Sequence, residues 1–159
     1  SGTFLVPATG FNAPNNNITF QVPANWVYQL LIHATGANLK PGFCHVVTTV
    51  TPANMTLHVA PQGVVGAKIL VTPQVAEPAF YFDMFRFWPL YAQTNPFTRG
   101  LTETTEDGGV GLMNVTPRDA LYRLTAIKPG LKFSEVAFWC RKDMLINISP
   151  PKGPTVIEG

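Results

Sequence analysis

Apolar and polar residues change places over short distances along this chain, and proline or glycine interrupts the pattern every few residues. In Asn17-Ile18-Thr19-Phe20-Gln21-Val22, the residues Ile18, Phe20 and Val22 share one parity while Thr19 and Gln21 take the other. A two-residue period places one set on a core and the other toward solvent or a partner. Short runs rich in Val, Ile, Thr, Phe and Tyr between breakers predict strands at Thr3–Val6, Ile18–Val22, Trp26–Ala34, Phe43–Thr51, Met55–Ala60, Ala67–Thr72, about Phe80–Trp88, Val110–Asn114, Lys132–Arg141 and Met144–Ile148. In Phe133–Arg141, Phe133, Val136 and Phe138 do not keep one parity, which predicts a bulge or burial on both faces.

Two segments carry helical signals. Thr116-Pro117-Arg118-Asp119 offers an N-cap, a proline at the first helical position and a carboxylate in the first turn. Pro129-Gly130 then marks an exit, and about two turns fit across Ala120–Thr125; a strand through Leu121–Ile127 is the alternative. In Glu77–Ala92, Asp83 and Arg86 stand three apart as a helical pair would, whereas the crowding of aromatic residues favours a strand. Asp107-Gly108-Gly109 predicts a tight turn after the polar stretch Thr102–Asp107. Val-Thr-Pro recurs at Val50–Pro52, Val71–Pro73 and Val115–Pro117 with irregular spacing, which reads as three strand ends stopped by proline and not as a solenoid. The expected fold class is all-β: an antiparallel β-sandwich, jelly-roll-like, with one or two short helices, in a single domain over residues 1–159. Its Pro-rich carboxyl-terminal tail, about residues 149–159, runs extended over a surface or onto a neighbour.

Composition narrows the function classes. A chain of 159 residues with 46% hydrophobic and 13% charged residues is long enough to bury a sizeable core. A net charge of +2, with Lys and Arg adjacent only at Arg141-Lys142, does not make a nucleic-acid groove. A surface so sparsely charged is weakly protected against association, which suits a subunit packed against neighbours. No apolar window approaches the length of a membrane-spanning helix. Residues Ser1–Pro7 lack the pattern of a signal peptide.

Little chemistry is available. The three serines, Ser1, Ser134 and Ser149, sit outside any nucleophile elbow, and Cys44-His45 are strand neighbours whose side chains point apart. A small hydrolase using Cys140 or Ser134 with a histidine is the weakest reading. His33, His45 and His58 match no zinc spacing, Gly108-Gly109-Val110-Gly111 lacks the residues of a phosphate loop, and Glu103–Asp107 lies in a solvated loop. No catalytic residue, cofactor or metal site is therefore assigned. Trp26, Trp88 and Trp139 sit inside apolar runs and are expected in the core. Cys44 and Cys140 lie in apolar surroundings, and two buried thiols acting as small hydrophobes are the plainer reading. The alternative is a disulfide closing a long loop, which would stabilise by about 4–5 kcal/mol in the chain-entropy model. Sequons occur at Asn17, Asn54, Asn114 and Asn147, the last two followed directly by Pro117 and Pro150. Asn17 and Asn54 are accordingly the glycosylation candidates of a secreted reading.

The segment Lys128-Pro129-Gly130-Leu131-Lys132-Phe133-Ser134-Glu135-Val136-Ala137-Phe138-Trp139-Cys140-Arg141-Lys142, with Ser149-Pro150-Pro151 after it, resembles the last strand and Pro-rich exit of picorna-like virus capsid proteins. In that family a Gly-x-x-Phe turn leads into an aromatic-rich final strand of a jelly roll. Phe85-Arg86-Phe87-Trp88 looks like a phrase common there, although Pro89-Leu90 stand where the family has Arg-Gly and only 71 residues follow Trp88. The resemblance implies a structural or projecting domain of a virus capsid protein, located in the virion, whose partners are other capsid subunits or a host surface receptor and which is oligomeric in assembly. The second expectation is an extracellular, glycosylated β-sandwich binding module, carbohydrate among its candidate ligands.

Overall fold

The structure, a computed structural model, describes residues 39–55, 63–82, 101–148, 150 and 152–159. The strands expected at Thr3–Val6, Ile18–Val22 and Trp26–Ala34 lie outside these residues, as do most of Met55–Ala60 and the later part of Phe80–Trp88. The described part is all-β, with no helix. Its strands are β1 (Cys44–Thr49), β2 (Lys68–Thr72), β3 (Phe80–Phe82), β4 (Gly109–Val115), β5 (Tyr122–Ile127), β6 (Lys132–Phe133), β7 (Val136–Phe138), β8 (Leu145–Ile148) and β9 (Val156–Glu158). No helix among the described residues is long and apolar enough to cross a membrane.

Three sheets form, in the orders β3-β4-β1-β8, β2-β5-β7 and β6-β9. Val46 of β1 stands opposite Leu112 of β4 and Ile146 of β8. The β1–β8 pair is parallel, a departure from the wholly antiparallel expectation, whereas every other strand pair described is antiparallel. Cys44, Val46, Leu112, Val115, Ile146 and Ile148 of the first sheet share a core with Val71, Tyr122, Leu124 and Phe138 of the second, so the two sheets pack against one another. Thr48 is buried on the same side of β1, and its hydroxyl donates to the Ile148 carbonyl at 2.9 Å, which satisfies a polar group that burial would otherwise penalise. On the other side of β4, the Phe80 ring lies where a Cβ of Gly111 would stand. Glycine is the one residue that lets the ring close onto the backbone there.

Local chemistry explains the element ends. Strand β5 alternates cleanly: Tyr122, Leu124 and Ala126 are buried, and Arg123 and Ile127 are exposed. That period displaces the helix expected across Ala120–Thr125, because β2 and β7 pair with β5 on both edges and bury its apolar set. Thr116 is no N-cap; its carbonyl accepts the Tyr122 hydroxyl at 2.7 Å. Pro129-Gly130 closes a hairpin instead of a helix. The Leu131 amide donates to the Lys128 carbonyl, and Gly130 adopts φ 79°, the left-handed value that the third position of a type II turn demands. Of the three Val-Thr-Pro sites, Val71-Thr72 ends β2 and Val115 ends β4, each just before its proline.

The mixed parity of Phe133–Arg141 has a physical cause. The stretch is two strands, β6 and β7, which serve different cores: Phe133 packs with Val50, Tyr81, Val110 and Ala126, whereas Phe138 packs on Tyr122 and Leu124. It also does not hold the last strand described, since β8 and β9 follow. The tail returns to its own domain. Pro154 is fully buried, its carbonyl accepts the Thr51 amide, the Val156 amide donates to the Thr51 carbonyl, and β9 pairs with β6.

Candidate binding surface

The two cysteines are joined. Cys44 at the start of β1 and Cys140 just after β7 form a disulfide with Cα atoms 5.7 Å apart, tying one packed sheet to the other through the core. The reading of two buried free thiols is thereby corrected, and neither sulfur is a candidate nucleophile. Ser134 is no nucleophile in a dyad either; its Oγ accepts the Thr155 amide at 3.0 Å. Ser1 and Ser149 lie outside the described residues, as do His33, His58, Trp26, Trp88 and Asn17.

His45 is the one described histidine, and it is buried at the centre of a polar knot. Its Nδ1 accepts the Asn114 amide at 3.1 Å. Asn114, held at φ 52°, accepts the Lys40 amide through Oδ1 and donates through Nδ2 to Glu77 Oε1 at 2.9 Å. Lys40 Nζ reaches the same carboxylate oxygen at 3.3 Å. Burial pushes the His45 pKa below its ordinary value, outweighing the opposite pull of the Glu77 and Asp143 carboxylates. A neutral ring is also what the geometry requires, because a proton on Nδ1 breaks the bond from Asn114. The lowered pKa gives stability that is fully present above pH 6.5, the unfolded value, and that is lost as pH falls from there through the folded value. The urea midpoint is therefore expected to fall between pH 7.5 and pH 5.5, and the fall should shrink in His45→Asn, whose amide oxygen keeps an acceptor without titrating. An identical pH dependence in the two proteins would rule His45 out as its source. The knot also removes Asn114 as a glycosylation site, since it is buried and bonded. Asn54, by contrast, is exposed in a turn at φ 61°.

The outward face of the β2-β5-β7 sheet carries several exposed apolar side chains. Lys68, Leu70 and Thr72 of β2 lie opposite Ile127, Thr125 and Arg123 of β5, and Arg123 lies opposite Ala137 of β7. Leu70 is 48% and Ile127 52% exposed. Trp139, expected in the core, is 40% exposed: Phe138 and Cys140 point inward on either side of it, which turns the indole out. The Arg141 guanidinium stacks over that ring at 4.8 Å and reaches Asp119 at 3.2 Å, and Arg123 pairs with Glu135 at 2.6 Å. These pairs are solvent-exposed and so hold their side chains only weakly. Tryptophan and arginine are among the residue types that supply most of the energy at protein interfaces, and the aliphatic residues beside them add apolar area. No titratable cluster with metal-ligating composition occurs among the described residues.

Sequence alone hid this face. Lys68-Ile69-Leu70-Val71-Thr72 carries three apolar residues in a row, so its parity is unreadable, and Ile127 breaks the polar-outward rule at the end of β5. The one available signal was the burial expected of Cys140, which by alternation sends Trp139 outward. Comparison of the chain with protein-family models, with curated proteins and with solved structures finds no match in any of the three.

Proposed function

We propose that this chain is a structural or projecting domain of a non-enveloped virus coat protein, in a jelly-roll-like sandwich, and that it works through contacts with other coat subunits or with a host surface receptor. The observation that carries the reading is the outward face of the β2-β5-β7 sheet, where Leu70, Ile127 and Trp139 stand open to solvent on a chain with few charges. A patch of this kind on a rigid sheet favours association. The resemblance of residues 128–151 to picorna-like capsid proteins points the same way. Sedimentation of the purified chain over a range of concentrations is expected to reveal oligomers that dissociate on dilution. Leu70→Glu combined with Ile127→Glu should shift the distribution to monomer while leaving the thermal midpoint nearly unchanged. A wild-type chain that stays monomeric at the highest attainable concentration, and binds no cell surface, would sink the proposal.

A second reading, an extracellular glycosylated binding module, is favoured by two observations: the Cys44–Cys140 disulfide, which suits an oxidising compartment, and the exposed turn position of Asn54. Secretory expression followed by intact-mass measurement separates the two. Glycan mass that disappears in Asn54→Gln supports the second reading, and an unmodified mass removes it.

A further inference from the structure

A groove of about 630 Å³ opens at the end of the exposed face, where the β5–β6 hairpin stands beside Gly66, Lys68 and Glu103. Three lysines, Lys68, Lys128 and Lys132, face a single carboxylate across it, and Ile127 and Leu131 give it apolar walls. The side chains of Lys68 and Glu103 make no hydrogen bond or ion pair with a described residue. Among the described residues Lys128 Nζ donates to the Val65 carbonyl alone, at 2.7 Å, which holds the ammonium at the rim. Lys132 shares Glu158 at 3.4 Å, with both groups largely exposed. Glu103 and Lys128 flank Gly66 from two sides, 3.8 and 3.9 Å from where a Cβ would stand, without pairing. The groove is thus a positively charged slot with an apolar lining and one acidic corner.

We propose that this groove docks an extended partner segment that carries carboxylate side chains next to apolar ones. This deepens the assembly reading and rests on it, in naming the chemistry of one contact. Lysine ammoniums act as point charges that attract any anion, so the choice between a carboxylate and a tetrahedral oxyanion falls to the groups around them. Tetrahedral oxyanions are usually held by several free backbone N–H groups. Here the Gly66 amide is given to the Thr104 carbonyl, the Leu131 amide to the Lys128 carbonyl and the Ile69 amide to the Tyr81 hydroxyl. The Glu103 carboxylate opposes a dianion more than a single carboxylate. In an extended peptide residues i and i+2 share a face, so an acidic residue at the lysines brings an apolar residue two positions away to Ile127 and Leu131.

The test is fluorescence anisotropy of the full chain with a labelled peptide of repeating Thr-Glu-Thr-Leu, which carries Glu and Leu on one face when extended, against the same peptide with Gln for Glu. The Glu peptide is expected to bind about tenfold more tightly, with a preference that shrinks as salt rises. Lys68→Glu, a change at an exposed side chain without a described partner, should abolish the preference, Lys128→Glu should weaken it, and Glu103→Gln should strengthen binding. Equal affinity for the two peptides, or a preference unchanged in Lys68→Glu, overturns the inference. So does displacement of the peptide by inorganic phosphate or a sulfated disaccharide at lower concentration than by unlabelled Glu peptide. Sedimentation of the same samples keeps the two proposals apart: oligomers without a Glu preference overturn the groove assignment alone. A chain that stays monomeric and binds no cell surface, yet prefers the Glu peptide, overturns the coat reading alone.

Discussion

Replacing Cys44 and Cys140 together by alanine is expected to lower the thermal midpoint of the domain by about 10–20 °C. The bridge spans a sequence separation of 96 residues and joins two sheets that share one core. In the chain-entropy account, closing a loop of that length stabilises by about 4–5 kcal/mol, and a chain of this size loses roughly 2–4 °C per kcal/mol. Both residues are fully buried, so reductant should act only as the protein opens. Alanine is the right replacement because serine would bury two hydroxyls. Differential scanning calorimetry with and without reductant, alongside intact mass, provides the check. An oxidised mass with a midpoint that does not move on reduction would mean that the bridge contributes nothing to the folded state.

Phe138→Ala is expected to cost about 3–5 kcal/mol, the usual range for removing a buried aromatic ring. Phe138 is 1% exposed, and its ring stacks on Tyr122 at 5.3 Å between centroids with 12° between planes. The ring sits where β7 meets β5 and fills the space between the two packed sheets, so the cavity has few flexible neighbours to collapse into it. Phe138→Leu should recover part of the loss. Urea unfolding gives the number directly, and a loss under about 1 kcal/mol would contradict a shared core. The effect should not add to that of the double cysteine replacement, because Cys140 and Phe138 belong to the same cluster.

What could be read beforehand depended on whether one physical rule acted alone. Strands β1, β2 and β8 fall inside predicted segments, and β4 exceeds its segment by one residue at each end, because an apolar run bounded by Pro or Gly has few other outcomes. The turn at Asp107-Gly108 is equally local; Gly108 takes φ 70° and β4 starts at the next residue. The segment Thr116–Ile127 was ambiguous because a good helix start competes with a period-two pattern, and pairing with β2 and β7, which no local signal announces, decides the outcome. Long-range facts were beyond reach for the same reason: the parallel pairing of β1 with β8, the choice between free thiols and a bridge for Cys44 and Cys140, and the strand β9 inside a Pro-rich tail. The candidate surface was harder still. An outward Leu70 or Trp139 is recognised by what its neighbours bury, so it becomes visible only once the sheet is assembled.

The position of β1 has a consequence for how the domain is made. It lies inside its sheet, and both of its neighbours arrive late: Val46 must wait for Leu112 on one side and Ile146 on the other. During synthesis the run Cys44-His45-Val46-Val47-Thr48-Thr49 therefore emerges long before any partner strand exists to cover it. Pairings so distant in sequence fold slowly, because loop closure must precede the contacts that reward it. Until residue 115 has emerged, β1 lacks both of these partners, and until residue 148 follows one of its edges stays open to pairing with a second copy.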